Sequence, residues 1–263
     1  MPIYTHGHQE AVLRSHRSRT AANSAAYLVP RLTSGMSLLD VGSGPGTITA
    51  DLAELVAPGQ VTAVEPVAEG LAPGESHVAG RKLTNVRFEI ADVHALPYAD
   101  DSFDVVHAHQ VLQHVHDPVA ALKEMRRVSR GLVAARDSDY KAMAWYPELP
   151  ALDEWMALYQ KVSRHNGGEP NAGRRLLSWA NAAGFADVTA TSSVWCYAAQ
   201  AERAWWSGMW ADRILRTAIA GQAVDYGYAT QADLDRISAG WREWGASEDG
   251  WFTITHGEIL CGG

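Results

Sequence analysis

Short apolar runs punctuate the first half of the chain, each reaching a charged or polar residue at or near its end. They are Ser37-Leu38-Leu39-Asp40-Val41, Gln60 to Glu65, Val86 to Asp92, Phe103 to His109 and Gly131 to Asp137. Between the first two, Ile48, Leu52, Leu55 and Val56 recur at helical spacing. After the fourth, Asp117-Pro118 opens another helical pattern carried by Val119, Leu122 and Met125, with Asp117 placed as its N-cap. Runs that read as buried strands, separated by helices, predict a doubly wound, mostly parallel α/β sheet.

On either side the pattern changes. Residues 8–32 read as a helical leader with Val12, Ala21, Ala25, Leu28 and Val29 on a loose apolar face, placed to pack over the ligand side. Gly70, Pro73-Gly74 and Gly80 oppose a long unbroken helix between the second and third strands. They predict a short helix from near Pro73, since proline is tolerated in a first turn. All 10 tryptophans, from Trp145 to Trp251, lie in the second half. Helices are expected at 150–165 and 172–183, the latter closing at Gly184. Asp187 to Tyr197 and Gly250 to Leu260 read as strands, with helices at 201–220 and 230–245 between them. The simplest topology pairs those two strands as an antiparallel edge and folds the intervening helices over the ligand face. A single domain 1–263 then comprises a leader (1–35), a sheet core (36–199 and 250–263) and a helical cap insertion (200–249).

Composition narrows the partners. The chain has 263 residues, 47% of them apolar, with a formal net charge of -8. No long basic run is present, so nucleic-acid binding is disfavoured and a small-molecule ligand is expected. No segment has the length or purity of a membrane span, and the first eight residues lack a signal-peptide pattern. Cys196 and Cys261 have no metal-ligand spacing, which suits a reducing, cytoplasmic setting.

The sharpest chemistry sits where the first strand meets a helix, at Gly42-Ser43-Gly44-Pro45-Gly46. A strand, a glycine turn and a helix bring backbone N–H groups close to a nucleotide-like ligand. The spacing is G-x-G-x-G, not the G-x-G-x-x-G of dinucleotide sites, and Asp40 precedes it by two residues. A carboxylate there repels a pyrophosphate and attracts an ammonium or sulfonium. Glu65 falls roughly 20 residues further on, where a ribose-binding acid belongs in such a unit. Asp92 and His109 also close strands, and ligands bind outside the carboxyl ends of strands in this architecture. His107, His109, His114 and His116 crowd one region, and His109 and His114 are the candidate general bases. The H-x-H pair lacks a third ligand of matching logic, so no metal is expected. Asp137, Asp139 and Tyr140 either face an acceptor or anchor a loop. The tryptophans either fill a core or wall an apolar site.

The ordered set Leu38-Leu39-Asp40-Val41-Gly42-Ser43-Gly44-Pro45-Gly46, Glu65, Asp92 and Phe103-Asp104-Val105-Val106 resembles the class I S-adenosylmethionine-dependent methyltransferases. Within them it is most similar to the ubiquinone/menaquinone-biosynthesis-like (methyltransferase-11) group, as is Gln110 to Pro118. The resemblance covers residues 36–136. It implies a seven-stranded Rossmann-like sheet with an antiparallel edge strand and a helical cap, S-adenosylmethionine as cofactor, and methyl transfer to an O, N or C atom of a small molecule. It also implies that Gly42, Ser43 and Gly44 border the methionine half and that Asp40 supports its charged end. Glu65, followed by Pro66, is then the ribose ligand. Asp92 and Val93 meet the adenine, and His109 and Gln110 line the methionine side. Two departures stand out: the usual Pro-Gly-Gly before the fifth strand is replaced by Ser129-Arg130-Gly131, and Pro73-Gly74 interrupts the helix after the second strand. The alternatives are a nicotinamide-dependent oxidoreductase, or a protein that binds S-adenosylmethionine without transferring methyl. Oligomeric state stays open between monomer and homodimer.

Overall fold

The five apolar runs pair side by side in parallel. The computed structural model describes residues 16–262. Its strands are β1 (Leu38–Val41), β2 (Val61–Glu65), β3 (Val86–Ile90), β4 (Phe103–His109), β5 (Ser129–Ser138), β6 (Ala144–Tyr146), β7 (Asp187–Tyr197) and β8 (Trp251–Gly262). The sheet order is β3-β2-β1-β4-β5-β8, with β7 on the far side of β8. Strands β1 to β5 are mutually parallel, whereas β8 runs antiparallel to both β5 and β7. The late pair therefore forms the antiparallel side expected from its alternation. One strand is additional to the seven expected. β7 covers one edge of β8 from Phe252 to Gly262, while β5 takes the other edge from His256 to Gly262. Trp251 to Thr253 are left to β6 on that second edge. Three residues carry no readable period, which is why the sequence concealed β6.

Period two in β1 splits the core. Leu39, Val41 and Val106 face the helices Pro118–Val128 and Leu176–Ala182, through Leu122, Met125 and Leu176. Leu38, Val61 and Val105 face the helix Thr47–Val56 and the leader, through Leu52, Ala25 and Leu28. A third cluster lies away from both. Helix Pro150–His165 packs with Gln200–Arg216, Ala218–Asp225 and Gln231–Ala246 around Trp155, Trp210 and Trp241. Trp155 is fully buried, with Trp210 and Trp241 edge-on at 4.7 and 4.8 Å between ring centroids. Full burial of a tryptophan is uncommon, and edge-to-face contact suits the ring quadrupole.

Three elements differ from their expected form. The leader is not one helix: Thr20 is extended and accepts from the Asn23 N–H, starting the short helix Ala21–Ser24 afresh. Residues 8–15, with Tyr4, His6 and His8, lie outside the described residues. The helix Leu71–Gly80 starts before Pro73 and runs through Gly74 without interruption. Pro73 sits in its first turn, where a missing N–H removes no intrahelical bond. The stretch 201–220 breaks at Thr217, whose hydroxyl donates to the Arg213 carbonyl and ends the first helix. Among the described residues, no helix is long and apolar enough to cross a membrane.

Candidate active site

The carboxyl ends of β1, β2 and β4 meet at the glycine loop. Gly42, Gly44 and Gly46 have φ values from +55° to +73°, the left-handed region that favours glycine. At Gly42 a Cβ would collide with the Val111 side chain, so the segment after β4 lies directly on the loop. A Cβ at Gly46 would stand 2.8 Å from the Gly74 Cα, and one at Gly74 would stand 2.6 Å from Phe88. The Pro73-Gly74 departure thus has a packing role: a residue without a side chain lets that helix touch the loop.

Glu65 closes this cradle from β2. Its Oε1 accepts from the Gly44 N–H at 2.5 Å, and burial raises its carboxyl to about 7. Asp40 lies beneath the loop. Its Oδ2 accepts from the Thr49 hydroxyl at 2.6 Å, and its Oδ1 is 2.8 Å from Nδ1 of the buried His107. Half of the H-x-H pair is therefore an anchor for Asp40. The buried Ser43 hydroxyl has no hydrogen-bonding partner among the described residues. Asp92 is exposed beyond β3, where the His94 N–H donates to it and holds its carboxyl below the usual range. Val93 beside it is buried, and Pro66 after Glu65 is exposed. Gly42, Ser43, Gly44 and Glu65 thus converge, Asp40 supports them from below, and Asp92 stands two strands away.

A second space opens past β4 and β5. Gln110, Gln113, His114 and Ser138 line one side, and Tyr140, Met143, Trp195, Tyr197, Trp206, Trp210 and Ile254 form its apolar walls. Arg19 and Arg213 complete it from the leader and from helix Gln200–Arg216. Gln110 has φ +54°, a strained value for a side-chain-bearing residue, and its N–H donates to the Arg136 carbonyl at 2.7 Å. It joins the two spaces, since Val111 after it touches Gly42. Burial pushes the His114 imidazole down to about 3. His109 lies at the end of β4 beside Trp195 and His256, and burial lowers it well below its ordinary value. Asp139 caps the turn Tyr140–Ala142 and pairs with Arg174 at 2.6 Å, so it is a loop anchor. Asp137 is wholly buried and raised to about 8 by that burial, with the Gln113 N–H on one oxygen.

Sequence reasoning missed a row that only register reveals. His109, Arg136, Glu258 and Thr191 are successive partners across β4, β5, β8 and β7. The Arg136–Glu258 ion pair is buried, and the Arg136 guanidinium lies 4.8 Å from the Trp195 ring centroid. The Trp195 indole N–H donates to the Asn23 carbonyl at 2.7 Å, tying the leader over the site. His256 stands 3.0 Å from the Gln110 amide nitrogen. A buried glutamate in a late strand was the available signal, but its partner is more than a hundred residues away.

A methyltransferase-domain family model matches residues 32–192, more than half of the chain. An uncharacterized methyltransferase of Schizosaccharomyces pombe is 31% identical over 268 residues, covering 98% of this chain and 95% of that one. The chain belongs to the class I S-adenosylmethionine-dependent methyltransferases. This methyltransferase is also 42% identical over 96 residues to a ubiquinone/menaquinone biosynthesis C-methyltransferase of Bdellovibrio bacteriovorus, covering 36% of this chain and 40% of that one. The crystal structure of the YcgJ protein of Bacillus subtilis has the same fold, with a TM-score of 0.59 at 19% identity, covering 90% of this chain and 96% of that one. The enzyme uses S-adenosylmethionine as methyl donor. Its glycine cradle, the buried Ser43 hydroxyl and the Glu65 carboxylate fit that nucleoside.

Proposed function

We propose that this methyltransferase transfers methyl to a small molecule held in the aromatic-walled space beside Gln110. The observation that supports this most is the Val111–Gly42 contact, which sets that space against the cofactor loop. In this reading Gly42, Ser43 and Gly44 border the methionine half, and Glu65, with Pro66 beside it, holds the ribose hydroxyls. Asp40 acts from below: its two oxygens are engaged, so it contributes negative potential at the first glycine rather than a direct bond. Asp92 and Val93 take the adenine end, and His109 and Gln110 flank the methionine side. The core-and-cap division at 200–249 serves as the lid, with helix Pro150–His165 joined to it by packing.

The methyl carbon arrives already electrophilic on its sulfonium. Held by Gly42, Ser43, Gly44 and Glu65, S-adenosylmethionine would supply that methyl to the acceptor atom, the S–CH3 electron pair staying with sulfur. What the chain supplies is alignment and exclusion of water. Trp206, Trp210 and Tyr140 exclude it on the acceptor side. The imidazoles of buried His109 and half-buried His114, with lowered basicity, stay neutral at pH 7. His114 then accepts a hydrogen bond from the acceptor rather than removing a strongly held proton. Calorimetry with S-adenosylhomocysteine, then a labelled-methyl screen over phenols, quinols and amines, tests the reading. Cofactor binding with labelled product from at least one acceptor is expected. Binding of NADH in place of S-adenosylhomocysteine overturns it, and cofactor binding without methyl release from any acceptor favours the non-methylating alternative.

A further inference from the structure

Two glutamines three residues apart line the acceptor space, and their amides differ in what they hold. Gln110 is engaged at both ends: its Oε1 accepts from Arg19 at 2.6 Å, and its Nε2 stands 3.0 Å from His256 Nε2. Gln113 is engaged at one end only. Its Oε1 accepts from the Ser138 hydroxyl at 2.8 Å, and among the described residues nothing accepts from its Nε2. The reverse amide orientation would leave the Ser138 O–H without an acceptor, so the free end is the donor end. The residue is only 3% exposed. Its main chain is fixed as firmly as its carbonyl end. The Gln113 N–H donates to Asp137 Oδ1 at 3.2 Å, and its backbone carbonyl accepts from the Glu169 N–H at 2.9 Å. Strand β5 and the loop before Asn171 thus hold one unpaired amide NH2 in the lining of an otherwise aromatic-walled space.

We propose that Gln113 is a substrate-binding residue whose amide donates to a carbonyl oxygen of the acceptor, the apolar body of that molecule lying against Tyr140, Met143 and Trp206. This rests on the reading of the space as the acceptor site. The physical reason is the cost of an unmade hydrogen bond. While the space is open, water can accept from the amide; an occupant that is apolar throughout expels that water and strands the donor. A carbonyl oxygen at the same place restores the bond, so a site of this kind rejects an analogue that lacks the oxygen more strongly than the loss of one contact suggests. The fixed carbonyl end adds to the effect, because little rotamer freedom remains to be lost on binding.

The test is calorimetry on the full chain saturated with S-adenosylhomocysteine, using probe pairs of matched shape that differ by a carbonyl against a methylene. The pairs are 4-hydroxyacetophenone with 4-ethylphenol, and 6-hydroxy-1-tetralone with 5,6,7,8-tetrahydro-2-naphthol. In at least one pair the ketone is expected to bind tenfold or more tightly than its partner. Gln113→Met, close in shape and without a donor, is expected to bring that pair within threefold, with binding of S-adenosylhomocysteine as the check that the variant is folded. Should Gln113→Met fail to fold, Gln113→Glu at pH 8 is judged by the same criterion. Equal affinities within both pairs in the parent chain overturn the proposal, as does a tenfold preference that survives in the variant. Trp206→Ala separates this failure from that of the acceptor reading. If it weakens both members of a pair alike, the space stands as the acceptor site and only the role of Gln113 falls. Probes that do not bind the parent, or that bind Trp206→Ala unchanged, overturn the reading of the space and the proposal with it.

Discussion

The two halves of the active site are made from different materials. On the glycine-loop side, backbone geometry dominates: three left-handed glycines, one half-buried carboxyl group on a loop N–H, and a second carboxyl group locked beneath. On the acceptor side, side-chain volume dominates, with indole and phenol rings stacked into a core of their own. In the function proposed above, the first half positions a charged nucleoside, and small residues suit it because such a ligand approaches main chain. The second half excludes water and sets shape, which many combinations of large residues achieve. One face tolerates almost no change of residue type at a few positions; the other derives its stability from the sum of many contacts.

That contrast can be broken in order of expected effect. Trp155→Ala leaves a large void among Trp210, Trp241 and Tyr159 and should cost about 3–5 kcal/mol in denaturant unfolding. Affinity for S-adenosylhomocysteine in the folded fraction should change little, and a parallel loss there would show that the halves are one unit. Gly42→Ala forces a Cβ into Val111 at positive φ and should weaken S-adenosylhomocysteine roughly a hundredfold, or 2.7 kcal/mol, by calorimetry. Affinity within threefold of the parent would remove the loop from the cofactor site. Glu65→Ala, and separately Asp40→Ala, should each weaken cofactor binding roughly tenfold, or 1.4 kcal/mol. Unchanged calorimetric affinity in a folded variant defeats that residue's assignment.

The remaining test is of pH dependence. Burial raises the Asp137 carboxyl from its ordinary range to about 8, so the native state holds a proton that the unfolded chain releases near pH 4. Its contribution is complete at acid pH and is lost as pH rises to about 8. Asp137→Asn keeps an acceptor for the Gln113 N–H and removes the titration. Its melting temperature should differ least from the parent near pH 4 and gain on it steadily up to pH 8.5. A constant difference across that range would show that Asp137 does not titrate in this way.

Legibility followed the same divide. The glycine turn, with Asp40 before it and Glu65 after it, was readable because all three lie within one strand–helix–strand unit. The role of Gly74 was not, since it is a contact with Gly46 across two helices. Nor was the burial of His107 against Asp40, which needs β1 and β4 in register. The tryptophans could be counted but not sorted: Trp155 and Trp241 are core, while Trp195 and Trp206 also face the cavity.

By itself, the sequence determined the order of strands and helices in the first half and the glycine turn after β1. These follow from local rules, because apolar period and glycine conformation act over a few residues. Only the tertiary structure decided which strand flanks β8, that Arg136 meets Glu258, and that Arg19 and Arg213 share one space. Those are pairings between segments far apart in the chain, fixed by register and packing across the whole sheet, and no local pattern encodes them.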